Sequence, residues 1–249
     1  MKWHIVHLTT VTSTNDYAKE IAEDVPEGTV VWADIQIKGR GRWGREWYSP
    51  KGGLWFSVIL KPPMVQVIPH VVFIGALAVV DVLSEYGLEG KIKWPNDVLI
   101  HDKKIAGVLV EGKANSYVII GIGINVNNEP PNTEEYEAIS MKEELGREIL
   151  IEEVLRKILR RLSYWYSLLT SGRIADITAQ VRKKNALAGR EVLVFWGDGK
   201  FESGKVLDIE EDGSLKVLLK NGQIRRLVFG EVSLRSMKTL NSPMIYPSW

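Results

Sequence analysis

KIKWPNDVLIHDKKIAGVLVE, residues Lys91 to Glu111, holds short β-like runs at Ile92–Trp94, Val98–Ile100 and Lys104–Val110, separated by polar turns. Pro95 pushes Trp94 toward extended geometry and stops any helix, so Asn96 and Asp97 stand at a rigid turn between strands. Lys104 follows Asp97 by seven residues at the start of a β run, so a hairpin would return its ammonium to the carboxylate. The plainer reading stays open: an Asp that caps its own turn and a Lys on a strand edge.

Outward from this segment the pattern is a mixed sheet with helices. Upstream, Ile5–Leu8, Thr29–Ile37 and Leu54–Leu60 read as strands, and Thr12–Asp16 gives helix-start chemistry before Tyr17–Ala22. VVFIGALAVVDVL, Val71 to Leu83, reads as a buried core helix, because Asp81 breaks it well short of the roughly 20 residues a bilayer span needs. Downstream, Tyr117–Ile122 is a further strand, and the three- and four-residue spacing of apolar residues over Ile149–Leu169 predicts an amphipathic helix. After Leu187 short strands with Gly-Asp-Gly and Asn-Gly turns predict a compact all-β module ending near Leu234. The expected division is 1–186 for the core, 187–236 for the β module and 237–249 for an unassigned tail.

The whole chain of 249 residues is long enough for a stable core without staples. Its net charge of +1 gives no long-range pull toward nucleic acid or acidic membranes, so any electrostatic function must be local. With no Cys, disulfides, thiolate metal sites and thiol nucleophiles are excluded, which fits a reducing cytoplasm. The first ten residues lack the apolar core of a secretory signal, and no membrane association is expected.

Four segments carry chemistry. KGRGRWGR, Lys38 to Arg45, alternates Lys38, Arg40, Arg42 and Arg45 with Gly39, Gly41 and Gly44. Glycine allows close approach and guanidinium forks bind oxyanions in pairs, so the loop suits closure over an anion; a solvated or RNA-contacting loop is the alternative. It lacks both the Walker ending and the dinucleotide spacing. The Asp97/Lys104 segment is the second. GIGINVNN, Gly121 to Asn128, puts two glycines in a strand, which points to another backbone or a flat ligand lying close, and Asn125 can donate and accept at a purine edge or simply serve a turn. Ser13, Thr14 and Asn15 can cap a helix or hydrogen-bond a neutral ligand.

Taken together, Ser13-Thr14-Asn15, Gln36 before Gly39-Arg40-Gly41-Arg42-Trp43-Gly44-Arg45, Lys93-Trp94-Pro95-Asn96-Asp97, Lys104-Ile105-Ala106-Gly107 and Gly121-Ile122-Gly123-Ile124-Asn125 resemble the biotin protein ligases in order and spacing. The resemblance runs from about Ile5 to Leu234. It implies an α+β fold: a mixed β-sheet catalytic core flanked by helices, of the class II aminoacyl-tRNA synthetase/biotin ligase type, with a small C-terminal SH3-like β-barrel. It implies biotin and ATP as substrates, with magnesium accompanying ATP, biotinyl-AMP as intermediate and a lysine of a biotin carboxyl carrier protein as acceptor.

By the same resemblance Arg42, Lys104 and Asp97 are catalytic, and Ser13, Thr14, Asn15, Gln36, Gly39, Arg40, Gly41, Lys104, Gly107, Gly121 and Gly123 hold biotin. Arg40, Arg42, Trp47, Lys93, Asn96 and Asn125 then hold ATP, with Trp47 stacked on adenine. No protein-borne metal site is expected. Only twelve residues precede Ser13, fewer than the roughly 20 that a helix-turn-helix needs, so no DNA binding is expected, while an exposed sheet edge would allow a homodimer. A lipoate-type adenylating ligase and a nucleic-acid-binding module are the competing functions.

Overall fold

The computed structural model describes residues 1–62, 68–133, 136–196, 201–228 and 232–236. The expected tail and the Gly-Asp-Gly turn lie outside them. The core contains β1 (His4–Val11), α1 (Thr14–Ile21), β2 (Thr29–Gln36), β3 (Leu54–Leu60), α2 (Ile68–Glu85), β4 (Lys91–Lys93), β5 (Asp97–Ile100), β6 (Lys103–Lys113) and β7 (Tyr117–Ile124). These strands form one mixed sheet in the order β1-β2-β3-β7-β6-β5-β4, with β1 and β2 parallel and the other pairs antiparallel.

Period-two alternation separates the faces of the sheet. Leu54, Phe56, Val58 and Leu60 of β3 and Ile120, Ile122 and Ile124 of β7 join the main core with α2 and α4 (Ile151–Thr170). Between sheet and α4, the stretch of α2 from Val71 to Val80 is apolar and buried all round, and the Asp81 that follows accepts a 2.9 Å hydrogen bond from Trp165 Nε1 of α4. The opposite face carries α1, whose Ala18, with Ala22 just past the helix end, packs on Val31, Ile59 and Ile119, and beside α1 it is open. The long helix begins two residues later than its apolar spacing predicts. Asn127 exchanges hydrogen bonds with both backbone groups of Ile149, at 2.8 and 2.9 Å, holding that residue outside the helix. Two further helices, α3 (Met141–Leu145) and α5 (Ile174–Lys184), have no counterpart in the sequence reading.

The C-terminal module comprises β8 (Glu191–Trp196), β9 (Phe201–Ile209), β10 (Leu215–Leu219), β11 (Ile224–Leu227) and β12 (Val232–Ser236), an antiparallel sheet in the order β11-β10-β9-β8-β12. Among the described residues no ladder closes β11 onto β12. The end of β9 and the turn to β10 dock on the core: Arg182 Nε donates to Ile209 O at 2.6 Å, His70 Nε2 to Glu211 O at 2.8 Å and Trp94 Nε1 to Gly213 O at 3.0 Å. Gly213 has φ +86°, a conformation open to glycine at little cost. Among the described residues no helix is long and apolar enough to cross a membrane.

Burial holds His70 below its ordinary value of 6.5, against the smaller opposing pull of its bond to Glu211 and of nearby Asp212. A depressed histidine binds fewer protons folded than unfolded, so its contribution is intact above pH 6.5 and is lost as pH falls through the folded-state value. His70→Gln is expected to flatten the fall in stability between about pH 7.5 and 5.5, measured by urea unfolding; an unchanged slope would show that His70 does not titrate with unfolding.

Candidate active site

The open face of the sheet has a floor made of aligned small residues. Register places Trp55 of β3 beside Gly123 of β7, Gly123 beside Gly107 of β6 and Gly107 beside Asp97 of β5. One row along, Ser57 pairs with Gly121 and Gly121 with Leu109. The two β7 glycines are needed for different reasons. A Cβ at Gly121 would collide with the Asn15 side chain, and one at Gly123 with the Trp47 indole. The sequence reading expects another backbone or a flat ligand against these glycines; the structure instead puts two protein side chains there, both lining the cleft.

Lys104 reaches this face through a β-bulge. The β5–β6 register shifts between Val98, paired with Ala106, and Leu99, paired with Lys104, leaving Ile105 as the extra residue in the core. Without that extra residue, alternation would turn Lys104 into the apolar layer. His101 and Asp102, at φ 50° and 64°, make the tight turn that returns the strand. Lys104 Nζ then lies 2.9 Å from Asp97 Oδ1, as the hairpin reading expects, and 4.9 Å from the ring centroids of both Trp47 and Tyr136. Aromatic faces and a carboxylate thus hold the ammonium from several sides.

Arg42 enters from the glycine-rich loop. Its Nη1 is 3.4 Å from Asn96 Oδ1, a long contact, while Nη2 is buried with no hydrogen-bond partner. Burial weakens its hold on the proton, nearby Asp97 strengthens it and Arg45 weakens it again. A buried guanidinium N–H facing a cleft is a place where an oxyanion gains much. Asn96 is itself fixed, donating from Nδ2 to Val108 O at 3.0 Å.

The other end of the cleft has a floor of neutral polar groups. Ser13 caps α1, accepting weakly from Asp16 N at 3.4 Å, and this turns Thr14 and Asn15 inward. Thr14 donates to Gln36 Oε1 from its backbone N at 2.8 Å, and its Oγ1 lies 3.0 Å from the same oxygen. Gln36 Nε2 donates to Ser49 Oγ at 2.9 Å, and Ser49 Oγ to Trp47 O at 2.8 Å. Below them Ser57 Oγ is 2.6 Å from Asn15 Oδ1 and 2.8 Å from Thr14 Oγ1. Two hydroxyl protons, from Ser57 and Thr14, serve these three oxygen–oxygen contacts, so this end is one donor short.

The cleft gathers Ser13, Thr14, Asn15, Gln36, Arg40, Gly41, Arg42, Trp47, Lys93, Asn96, Asp97, Lys104, Gly107, Gly121 and Gly123, all named from sequence. Gly39, within the loop, is not among the residues that line the cleft; its carbonyl accepts from Trp47 N at 2.8 Å. Asn125 is buried, bonded to Asn128, and faces an adjoining hollow beyond Trp47 that Lys104 and Tyr136 also line. Arg40 is committed to Glu111 and Asp16. Ser57, Glu111 and Tyr136 are the participants that the sequence reading missed. Among the described residues no cluster of three or more His, Asp or Glu side chains could cage a metal.

Residues 7–127 match the biotin/lipoate A/B protein ligase family, and residues 188–235 match the biotin protein ligase C terminal domain. The chain is 35% identical to the bifunctional ligase/repressor BirA of Bacillus subtilis, an alignment covering 94% of this chain and 75% of that protein. It is 30% identical to the biotin--[acetyl-CoA-carboxylase] ligase of Paracoccus denitrificans, covering 82% of this chain and 89% of that one. Among solved structures it is similar to the Aquifex aeolicus biotin protein ligase in complex with biotin and ATP. That match has a TM-score of 0.84 and 34% identity, covering 94% of this chain and 99% of the other.

Proposed function

The chain belongs to the biotin protein ligase family, and we propose that its cleft joins biotin to ATP and then passes the acyl group to a lysine of a biotin carboxyl carrier protein. The observation that carries this reading is the partnerless Arg42 Nη2 beside the Lys104–Asp97 pair, at the opposite end from a neutral floor that lacks a donor. The neutral end suits the N–H groups of a ureido ring, and lipoate offers none. The cationic end suits the meeting of carboxylate and triphosphate.

In the first step a biotin carboxylate oxygen attacks the α-phosphorus of ATP, an acyl–phosphate bond forms, and the bond to pyrophosphate breaks. Arg42 and Lys104 offset the repulsion of two anions and the charge growing on phosphorus. In the second step the neutral amine of the acceptor lysine attacks the acyl carbon, AMP leaves, and Asp97 orients the amine and accommodates its proton. Trp47 and Asn125, which both line the adjoining hollow, are assigned to the adenine. Among the described residues no group of three or more carboxylate or imidazole side chains forms a metal cage, so magnesium accompanying ATP is assigned chiefly to phosphate oxygens and water. The catalytic unit is assigned to residues 1–186 and the β module to 187–236. β1, at the edge of the sheet, is where a second copy would pair in a homodimer.

Labelled pyrophosphate is expected to exchange into ATP only when biotin is present. Exchange driven by lipoate alone would reassign the acid, and folded protein with no exchange under either acid would overturn the reading.

A further inference from the structure

Glu111 projects from β6 onto the cleft face and is half-buried. Its Oε1 accepts from Lys19 Nζ at 2.7 Å and Arg40 Nη1 at 2.9 Å, and its Oε2 from Asn15 Nδ2 at 2.7 Å and Arg40 Nη2 at 3.0 Å. Arg40 Nη2 also meets Asp16 Oδ1 at 2.5 Å. Burial opposes ionisation of Glu111, but the bonds from Arg40, Lys19 and Asn15 outweigh it and hold the carboxyl below its ordinary value.

An ionised carboxylate can only accept, so Asn15 must present Nδ2 to Glu111 and is left with Oδ1 toward Ser57. At the far end, Gln36 Oε1 is fixed as an acceptor by Thr14 N. The two hydroxyls therefore lie between acceptors that cannot reverse, which is why the floor lacks a proton. Had Asn15 been free to turn, its Nδ2 would supply that proton to Ser57 and the deficit would vanish.

We propose that Glu111 is a positioning residue for specificity: by fixing the Asn15 amide it makes the pocket floor acceptor-rich and so selects an acid whose ring carries N–H donors. The inference rests on the biotin reading of this cleft. Through Arg40 the same carboxylate anchors the start of the glycine-rich loop to the sheet, so one side chain sets both the polarity of the floor and the seat of its cover.

The test compares binding of biotin with that of a biotin analogue in which oxygen replaces each ring N–H, by calorimetric titration. In Glu111→Gln the new amide can donate to Asn15 Oδ1, which lets Asn15 turn. Biotin is expected to bind about tenfold or more weaker while the analogue changes by less than about threefold, so the preference shrinks. General loosening of the cleft would weaken both ligands alike and leave the ratio unmoved. Asn15→Ala, which removes the relay but keeps the Arg40–Glu111 pair, is expected to shrink the preference as well, and it decides the matter if Glu111→Gln does not fold. A wild-type ratio in the folded variants would overturn the inference. Failure of the unaltered protein to bind biotin would overturn the functional reading instead.

Discussion

Lys104→Ala is expected to slow biotin-dependent pyrophosphate exchange by about 10²- to 10³-fold, the loss typical of removing one preorganised donor from a developing oxyanion. The ammonium is only 13% exposed and is confined by Asp97, Trp47 and Tyr136, so it enters the reaction already oriented. Its effect is expected mainly in kcat, because positive charge matters most where negative charge accumulates. Thermal unfolding should still show one cooperative transition, since Lys104 lines the cleft rather than the apolar core. Exchange at the parent rate in Lys104→Ala would remove the residue from the chemistry.

Arg42→Ala is expected to release acyl-adenylate about 10- to 100-fold faster, corresponding to loss of one charge-assisted hydrogen bond. The measurement is hydrolysis of biotin–ATP mixtures to AMP without an acceptor, together with retention of labelled adenylate after rapid gel filtration. The ligand-free variant should lose no stability, because burial disfavours the guanidinium and its Nη2 has no partner to forfeit. The combination discriminates: a residue that merely held the fold would cost stability when removed, whereas an anion receptor costs nothing until the anion arrives. Retention as tight as in the parent would end the assignment.

The sequence was most informative where covalent geometry leaves few choices. Pro95 and the spacing of Asp97 and Lys104 predicted a returning strand, and the two side chains meet at 2.9 Å. What brings them together was hidden, since a bulge at Ile105 depends on the register of neighbouring strands and leaves no mark in composition. Gly121 was legible as a close approach, but nothing local identified Asn15 as the group that approaches it. Glu111 gave no signal, because its partners lie up to 96 residues away on α1 and the loop. Helix α3 was recoverable: Ser140 and Glu143 form a capping box, visible as Ser-Met-Lys-Glu. The spacing of Ile174, Ile177 and Val181 likewise marked α5. In both, the signal is much shorter than the apolar stripe of α4.

The β9–β10 turn reaches the core at Trp94, the residue before Pro95 in the stretch that presents Asn96 and Asp97. Among the described residues the C-terminal sheet contributes no atom to the cleft wall, yet it supplies the acceptor that pins this indole. The two halves are consequently not interchangeable cassettes. A chimera that borrows another β module must inherit the length of this one connector, or the reacting end loses its brace while each half still looks well made.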